Sequence, residues 1–212
     1  VKLFQNEKIF KALTNTLIVA TVSTLIASTI GTLLAIGIES KKVRNNIIEG
    51  TVFIPMIIPD IVMAISLLSF FTLIQFTLGL HSIIISHVVF NIAFVCAVVR
   101  TRFNHFDHSI IEASYDLGGK NIVTFIKITL PIIFPGVLAG SLLAFTLSVD
   151  EFIIAFFTAG AGSSSTTLPM LIYSMIRFGV TPEINALSTF IILFSFIILF
   201  ISLRFNKESV IS

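Results

Sequence analysis

The sequence predicts an all-α, polytopic membrane protein with about five transmembrane helices. Of its 212 residues 56% are hydrophobic and only 11% are charged, and its mean hydropathy is +1.06, whereas soluble domains carry about 25% charged residues. Apolar runs of about 20 residues or more can cross a hydrocarbon core about 30 Å thick. Such runs cover residues 13–38, 51–78, 82–99, 131–157 and 184–203. With no internal repeat and no separate soluble domain, residues 1–212 are expected to form a single transmembrane domain.

The first two predicted spans differ in how regular their helices should be. The first span is rich in serine and threonine, whose hydroxyls can bond back to their own helix, and it ends at a polar, basic turn. The second span opens with Pro55 and Pro59, so we expect its first turns to be kinked or broken. Asp60 directly follows the second proline.

Polar residues also punctuate the later spans. The third span closes with Arg100 and Arg102, and the segment Ser148-Val149-Asp150-Glu151 interrupts the fourth. Residues 160–167 are rich in glycine, serine and threonine, and this composition predicts a flexible loop. We expect His81 and His87 to be interfacial or packed, with no functional role.

The distribution of positive charge orients the chain in the membrane. Nine of the 13 lysines and arginines fall on the side that holds the segment between the third and fourth spans and the C-terminus. The positive-inside rule places that side in the cytoplasm. The N-terminus then lies outside with three lysines against the rule, and the chain begins with Val1. A missing upstream span would resolve this conflict, so we expect a piece of the protein to be missing there.

The longest polar stretch, about residues 103–130, separates the third and fourth spans. Asp107 or Ser109 can cap a helix here, which places Glu112 in its first turn, where a carboxylate suits the positive helix end. Gly118-Gly119 is expected to end this helix and to turn the chain into a second short helix. The stretch therefore predicts a water-side helical hairpin.

Two alternative roles are open for the hairpin at this point. Its helices carry an apolar stripe, so the hairpin can lie on the membrane surface or be a solvated connector.

Pro131 is expected to begin the fourth span as an N-terminal helix proline.

Spacing within this stretch favours a more specific interpretation. From Glu112 to Pro131 the sequence gives E-A-S, three residues, G, nine residues and then I-T-L-P. This pattern resembles the EAA loop of ABC-transporter permease subunits, which has E-A-A, three residues, G, nine residues and I-x-L-P. It departs at Ser114, where one small residue replaces another.

The resemblance implies the fold of a type I ABC importer permease. It also implies that the hairpin is a cytoplasmic coupling helix seated in a groove of a separate ABC ATPase subunit. The residues it implies as ATPase contacts or turn formers are Glu112, Ala113, Ser114, Asp116 and Gly118.

The sequence predicts no catalytic site and no cofactor in this chain. The segment 117–121, L-G-G-K-N, lacks the upstream glycine and the Ser or Thr after the lysine that a P-loop requires. No nucleophile–base set and no Cys/His cluster for a metal is present in the sequence. ATP and Mg²⁺ are therefore expected on the partner ATPase, and the chain is expected not to be an enzyme.

Acidic residues in the spans are the candidates for a substrate path. Asp150 and Glu151 lie late in the fourth span, and Asp60 follows a proline in the second. An intramembrane acid costs roughly 2.5–3.5 kcal/mol on insertion scales and usually faces a cavity or a partner. Two alternatives remain: a bent helix whose acids reach the outer interface or a lysine, and a local helix cap formed by Asp60.

Small residues also recur at four-residue intervals in the fourth span. They predict a close helix–helix contact, with the last of them beside the acids. The four are Gly136, Gly140, Ala144 and Ser148.

Acids in a path without lysine partners in the spans favour a cationic substrate. From about Thr14 to its C-terminus, the chain also resembles the PotC-type permeases of bacterial spermidine/putrescine ABC importers. Stretches 54–64, 112–131, 143–152 and 181–186 carry this resemblance. Glu151 stands where a second aspartate is more usual, and the family's first span of six is absent here.

This second resemblance implies polyamine import across the bacterial inner membrane. Its expected partners are ATPase subunits, a PotB-type second permease, an extracytoplasmic polyamine-binding protein and the lipid bilayer, with no nucleic acid. The substrate path implied by the resemblance comprises Asp60, Ser148, Asp150 and Glu151. It does not rank putrescine against spermidine.

Three other functions remain compatible with the sequence. The chain can be the permease of an ABC importer for another small solute such as sulfate, iron or molybdate. It can be a secondary transporter or channel that works alone. It can also be a membrane assembly subunit, which the intramembrane acids disfavour.

Overall fold

The computed structural model describes residues 7–39, 46–103, 106–107, 109–162 and 164–177, with isolated positions beyond. The predicted fifth span, residues 184–203, lies almost wholly outside these described residues. Within the described ranges every regular element is helical, which agrees with the predicted fold class. In chain order the elements are α1 (Glu7–Glu39), α2 (Asn46–Ile57), α3 (Asp60–Leu73), α4 (Leu80–Phe103), α5 (Ser109–Asp116), α6 (Asn121–Thr124), a π-helix (Phe125–Thr129), α7 (Leu130–Asp150), α8 (Ile153–Thr158) and α9 (Leu168–Ile176).

Three described helices are long and apolar enough to cross a membrane. They are α1, α4 and the continuous helix Asn121–Asp150, and a bent pair made of α2 and α3 can supply a fourth span. The predicted first, third and fourth spans thus correspond to long helices in the structure.

Helices α1, α4 and α7 pack against one another as the central bundle. Glycines allow this close approach, because a Cβ on Gly31 would lie 2.8 Å from Cβ of Val95, and one on Gly140 would lie 3.4 Å from the Val95 backbone. The predicted small-residue stripe is buried along α7, at Gly136, Gly140, Ala144 and Ser148. The prediction of a close helix contact is therefore confirmed.

The second span is broken where its prolines predicted. Helix α2 ends at Ile57, α3 starts at Asp60, and the two are bent by 110°. Pro59 is extended, with φ −56° and ψ 136°, and the proline ring disfavours the helical conformation for Ile58 before it. Pro55, in contrast, is accommodated inside α2.

Pro131 lies in the first turn of α7, as predicted, but the long helix that contains α7 does not begin there. The helix begins ten residues earlier, at Asn121, and continues through the π-helix into α7. Pro131 cannot donate to the carbonyl of Lys127, as an α-helix requires, and the wider turn of the π-helix just before it absorbs this mismatch. The second arm of the hairpin is therefore continuous with a membrane span.

Hydrogen bonds from α1 contact the described residues of the loop after α8. Nδ2 of Asn15 donates to the carbonyl oxygens of Ser164 and Thr166, each at 2.9 Å. Oγ1 of Thr16 accepts from the backbone N–H of Leu168 at 2.7 Å. The composition of the loop does not reveal these bonds, because their partners lie on α1, about 150 residues away.

Replacing Asn15 by alanine is expected to lower the thermal unfolding midpoint of the purified protein. The change removes both donated hydrogen bonds, and an unpaired buried polar group costs about 1–3 kcal/mol. Thr14→Ala is the matched control, because Thr14 is exposed and its hydroxyl donates to Phe10 of its own helix. Equal midpoints for the two variants would contradict this function for Asn15.

Candidate functional site

The hairpin, defined as residues 109–129, turns at a Schellman motif that closes α5. The N–H of Gly118 donates to the carbonyl of Tyr115 at 2.9 Å, and the N–H of Gly119 donates to that of Ser114 at 2.8 Å. Gly118 has φ +82°, a conformation that favours glycine. At the start of α5, the carboxylate of Asp107 accepts from the N–H of Ser109 at 2.9 Å, so the predicted Asp107 cap is present.

The two arms of the hairpin are joined side by side as well as through the turn. Oγ of Ser114 lies 2.8 Å from Oγ1 of Thr124, which is buried. A Cβ on Gly119 would lie 2.6 Å from the Ser114 hydroxyl and 2.7 Å from the Ser114 carbonyl, so only glycine fits there. Ser114, the position that departs from the EAA pattern, therefore contributes a hydrogen bond that alanine cannot.

The outer face of the hairpin combines acids with exposed apolar side chains. Glu112, Ala113 and Asp116 are exposed, as is the turn residue Gly118. Leu117 at the turn is 90% exposed. Exposed apolar side chains flanked by acidic ones are typical of a surface that binds another protein.

The inner face of the hairpin is anchored to the spans. Ile111 of α5 packs against a core cluster that includes Phe103, Phe106 and Ile133. The same cluster draws residues from α1, α4 and α7, and the second hairpin arm runs directly into α7. Packed side chains and a continuous helix therefore connect the hairpin to the bundle.

The three predicted acids come together where the two broken spans meet. Asp60 is in the first turn of α3, Glu151 follows the end of α7, and α3 packs against α8. Glu151 interacts electrostatically with both Asp60 and Asp150. Asp150 is exposed, whereas Asp60 and Glu151 are half-buried. We call these three residues the acid cluster.

The surroundings of the acid cluster bear on the two alternative explanations for it. Pro59 occupies the N-cap of α3, and Asp60 lies in the first turn, where a carboxylate suits the positive helix end, so a local role for Asp60 is retained as an alternative. Oε1 of Glu151 accepts from the N–H of Ile154 at 2.8 Å, at the start of α8. Within the described part of the chain, neither ion pair of the structure involves the acid cluster.

Ser148 has a different environment from the acids that follow it. It is 2% exposed, its Oγ accepts from Nδ2 of Asn91 at 2.8 Å and lies 3.1 Å from Oγ of Ser23. These bonds join α1, α4 and α7. Sequence reasoning missed Asn91, although an amide within an apolar span is a signal for an interhelical hydrogen bond. His87, one turn away on α4, is buried as expected.

Comparison with known proteins identifies the class that this fold and site define. The family described as binding-protein-dependent transport system inner membrane component matches residues 27–207, and the chain belongs to this family. It is thus a multi-pass membrane permease with the fold of a type I ABC importer permease, as predicted. A chain of the inward-facing MetNI methionine ABC transporter has the same fold, with a TM-score of 0.72 and 17% identity over 94% of this chain and 93% of that one.

Curated relatives within this class are polyamine transport permeases by name. The spermidine/putrescine transport system permease protein PotC of Haemophilus influenzae is 36% identical over 98% of this chain and 80% of its own length. PotC of Escherichia coli K12 is 38% identical over 94% of this chain and 75% of its own length. The putrescine transport system permease protein PotI of the same strain is 40% identical over 74% of this chain and 58% of its own length.

Proposed function

We propose that this chain is a permease subunit of an ATP-driven importer that carries spermidine or putrescine across the bacterial cytoplasmic membrane. The observation that carries the proposal is the acid cluster, in which breaks in two spans bring three carboxylates together. The names of the PotC and PotI relatives support the same class of cargo.

The chemistry of the acid cluster suits a polyamine. Each ammonium group of a polyamine donates hydrogen bonds, and a carboxylate accepts them in charge-assisted pairs that are stronger than neutral ones. Asp60 and Glu151 are half-buried, so a cation between them is screened less than it would be in bulk water. Repulsion among the three acids falls when a cation enters, which favours occupancy of the path. Ser148 remains a candidate for the path, at the bundle side of the acids.

Energy for transport enters at the hairpin in this proposal. The outer face of the hairpin, with Glu112, Ala113, Asp116 and Gly118, seats in a groove of an ABC ATPase that binds ATP and Mg²⁺, and Ser114 supports this face by joining the two arms. The hairpin and the C-terminus lie in the cytoplasm. A second permease of the PotB type completes the path, and an extracytoplasmic binding protein delivers the polyamine. ATP binding and hydrolysis shift the hairpin, and the anchored bundle alternates access to the acid cluster.

Stimulation of ATP hydrolysis by the complete reconstituted importer tests the proposed cargo. We expect spermidine and putrescine, each presented with the binding protein, to raise the rate of ATP hydrolysis. The reason is that a delivered cation binds to the three carboxylates of the acid cluster. Sulfate and molybdate, as anions, are expected to have no effect. Stimulation by sulfate, molybdate or iron without stimulation by polyamines would favour the permease of another solute.

A further inference from the structure

One guanidinium joins the ends of three helices next to the hairpin. Nε of Arg100, in the last turn of α4, donates to Oε1 of Glu39 at 2.9 Å. Its Nη1 donates to Oε1 of Glu49 at 2.7 Å. Glu39 is the last residue of α1, and Glu49 is in the first turn of α2. The guanidinium carbon also lies 5.6 Å from the ring centroid of Phe53 on α2, within the range of a cation–π contact. We call this arrangement the Arg100 clamp.

The clamp depends on properties that are specific to arginine. Its planar group presents several N–H donors in fixed directions, so one cation can hold carboxylates from two different helices at once. A carboxylate at the C-terminal end of a helix is repelled by the negative end of the helix dipole, so a nearby cation stabilises Glu39. Arg100 is that cation, and its own position at the negative end of α4 is favourable for a positive charge.

The partial exposure of the three side chains indicates that the clamp fixes the relative positions of the helix ends more than it stabilises the fold. The side chains of Arg100, Glu39 and Glu49 are 24%, 26% and 35% exposed. Solvent screens ion pairs at such positions, and their net contribution to stability is usually small. The clamp can therefore be disturbed without unfolding the bundle, which separates its geometric effect from a structural one.

The clamp and the hairpin are connected through one core cluster. Phe53, beneath the guanidinium, packs against the core cluster that contains Phe103, and Ile111 of the hairpin packs against the same cluster. Two residues after the clamp, Cγ of Arg102 lies 2.6 Å from where a Cβ on Gly136 of α7 would be. The end of α4 is thus fixed to α1 and α2 on one side and packed against α7 on the other.

We propose that Arg100 is a positioning residue for transport. It holds the hairpin-side ends of α1, α2 and α4 together, so that these ends follow the hairpin as one body during the ATP cycle. This inference rests on the proposed function, in which the hairpin receives the movement of the ATPase. Without the clamp, ATP is still hydrolysed, but the ends of α1, α2 and α4 move separately, so the movement of the hairpin no longer drives transport.

Arg100→Lys in the complete importer tests this inference. Lysine keeps the positive charge that orients the chain in the membrane, but it presents a single ammonium group. We expect polyamine uptake per ATP hydrolysed to fall about fivefold or more, with an unchanged yield of assembled importer. Arg102→Lys is the matched control, since its methylene groups still pack on Gly136, and it should keep the wild-type ratio. A wild-type ratio in R100K, or a loss confined to the yield of assembled importer, would overturn the proposal.

A distance measurement tests the clamp independently of the cargo. Spin labels at exposed positions 50 and 101 report the separation of α2 from α4. In the importer with wild-type Arg100 we expect a narrow distribution that is the same with and without ATP, and in R100K a broader one that changes with ATP. Identical distributions for the two proteins would overturn the clamp. Failure of wild-type polyamine uptake, with the distributions as expected, would count against the proposed cargo and not against the clamp.

Discussion

Replacing Gly118 by aspartate is expected to abolish substrate-driven ATP hydrolysis while membrane insertion and folding persist. Gly118 has φ +82°, and no atom lies within 4 Å of a Cβ built on it. Aspartate tolerates positive φ better than most residues, so the turn survives. The new side chain, however, projects from the exposed turn beside Glu112 and Asp116, where the proposed groove of the ATPase must approach closely. A loss of at least about tenfold corresponds to about 1.4 kcal/mol of lost coupling.

Gly162 provides a control with the same backbone demand. It also has positive φ, +119°, and open space around a Cβ, but it lies in the loop after α8, far along the chain from the hairpin. Gly162→Asp therefore introduces the same charge at a position that also favours glycine, and it should leave coupled hydrolysis close to wild type. Undiminished coupled transport by G118D, measured as substrate-stimulated phosphate release in vesicles, would contradict a docking function for the hairpin.

The double substitution Asp150→Asn with Glu151→Gln is expected to reduce polyamine uptake about tenfold or more without loss of assembly. The amides keep the shape of the acids but remove two of the three negative charges that would hold an ammonium group. Glutamine at 151 retains an oxygen that can accept the N–H of Ile154, so the start of α8 is preserved. Neutral side chains also insert into the membrane more readily than charged ones.

Two further substitutions sharpen this result. Asp60→Asn alone is expected to reduce uptake as well, because Asp60 acts on Glu151 from the other broken span. Glu7→Gln, in the exposed first turn of α1, removes a carboxylate outside the acid cluster and should leave uptake unchanged. Initial rates of labelled spermidine uptake across a concentration series will separate weaker binding from slower turnover. Normal uptake by the double variant would refute the acid cluster as the path.

Much of the fold was accessible from local sequence signals. Long apolar runs predicted α1, α4 and α7, since hydropathy over about 20 residues reports a membrane span directly. Pro59 predicted the break before α3, and the polar residues around Asp150 marked the end of α7, because each acts on the backbone within a few residues. Gly118 predicted the turn of the hairpin for the same reason.

Features that depend on distant residues were not accessible in this way. The loop held by Asn15 and the Arg100 clamp both join segments more than 50 residues apart, and no local pattern encodes such partners. The continuity of the fourth span with the second arm of the hairpin could not be predicted, because it depends on a π-helix that lets the helix pass Pro131 without ending. Ser148 was placed with the acids by its sequence position, whereas its hydrogen bonds are made with Asn91 and Ser23.

Uptake of labelled spermidine and putrescine into vesicles that contain the complete importer is the most direct test of an ATP-driven polyamine path. The vesicles carry ATP or a non-hydrolysable analogue inside, and the binding protein is supplied outside. We expect accumulation with ATP, none with the analogue, and little with the importer that carries Asp150→Asn and Glu151→Gln. Accumulation of polyamines without ATP would contradict the proposed function, as would ATP-driven uptake of another solute with no uptake of polyamines.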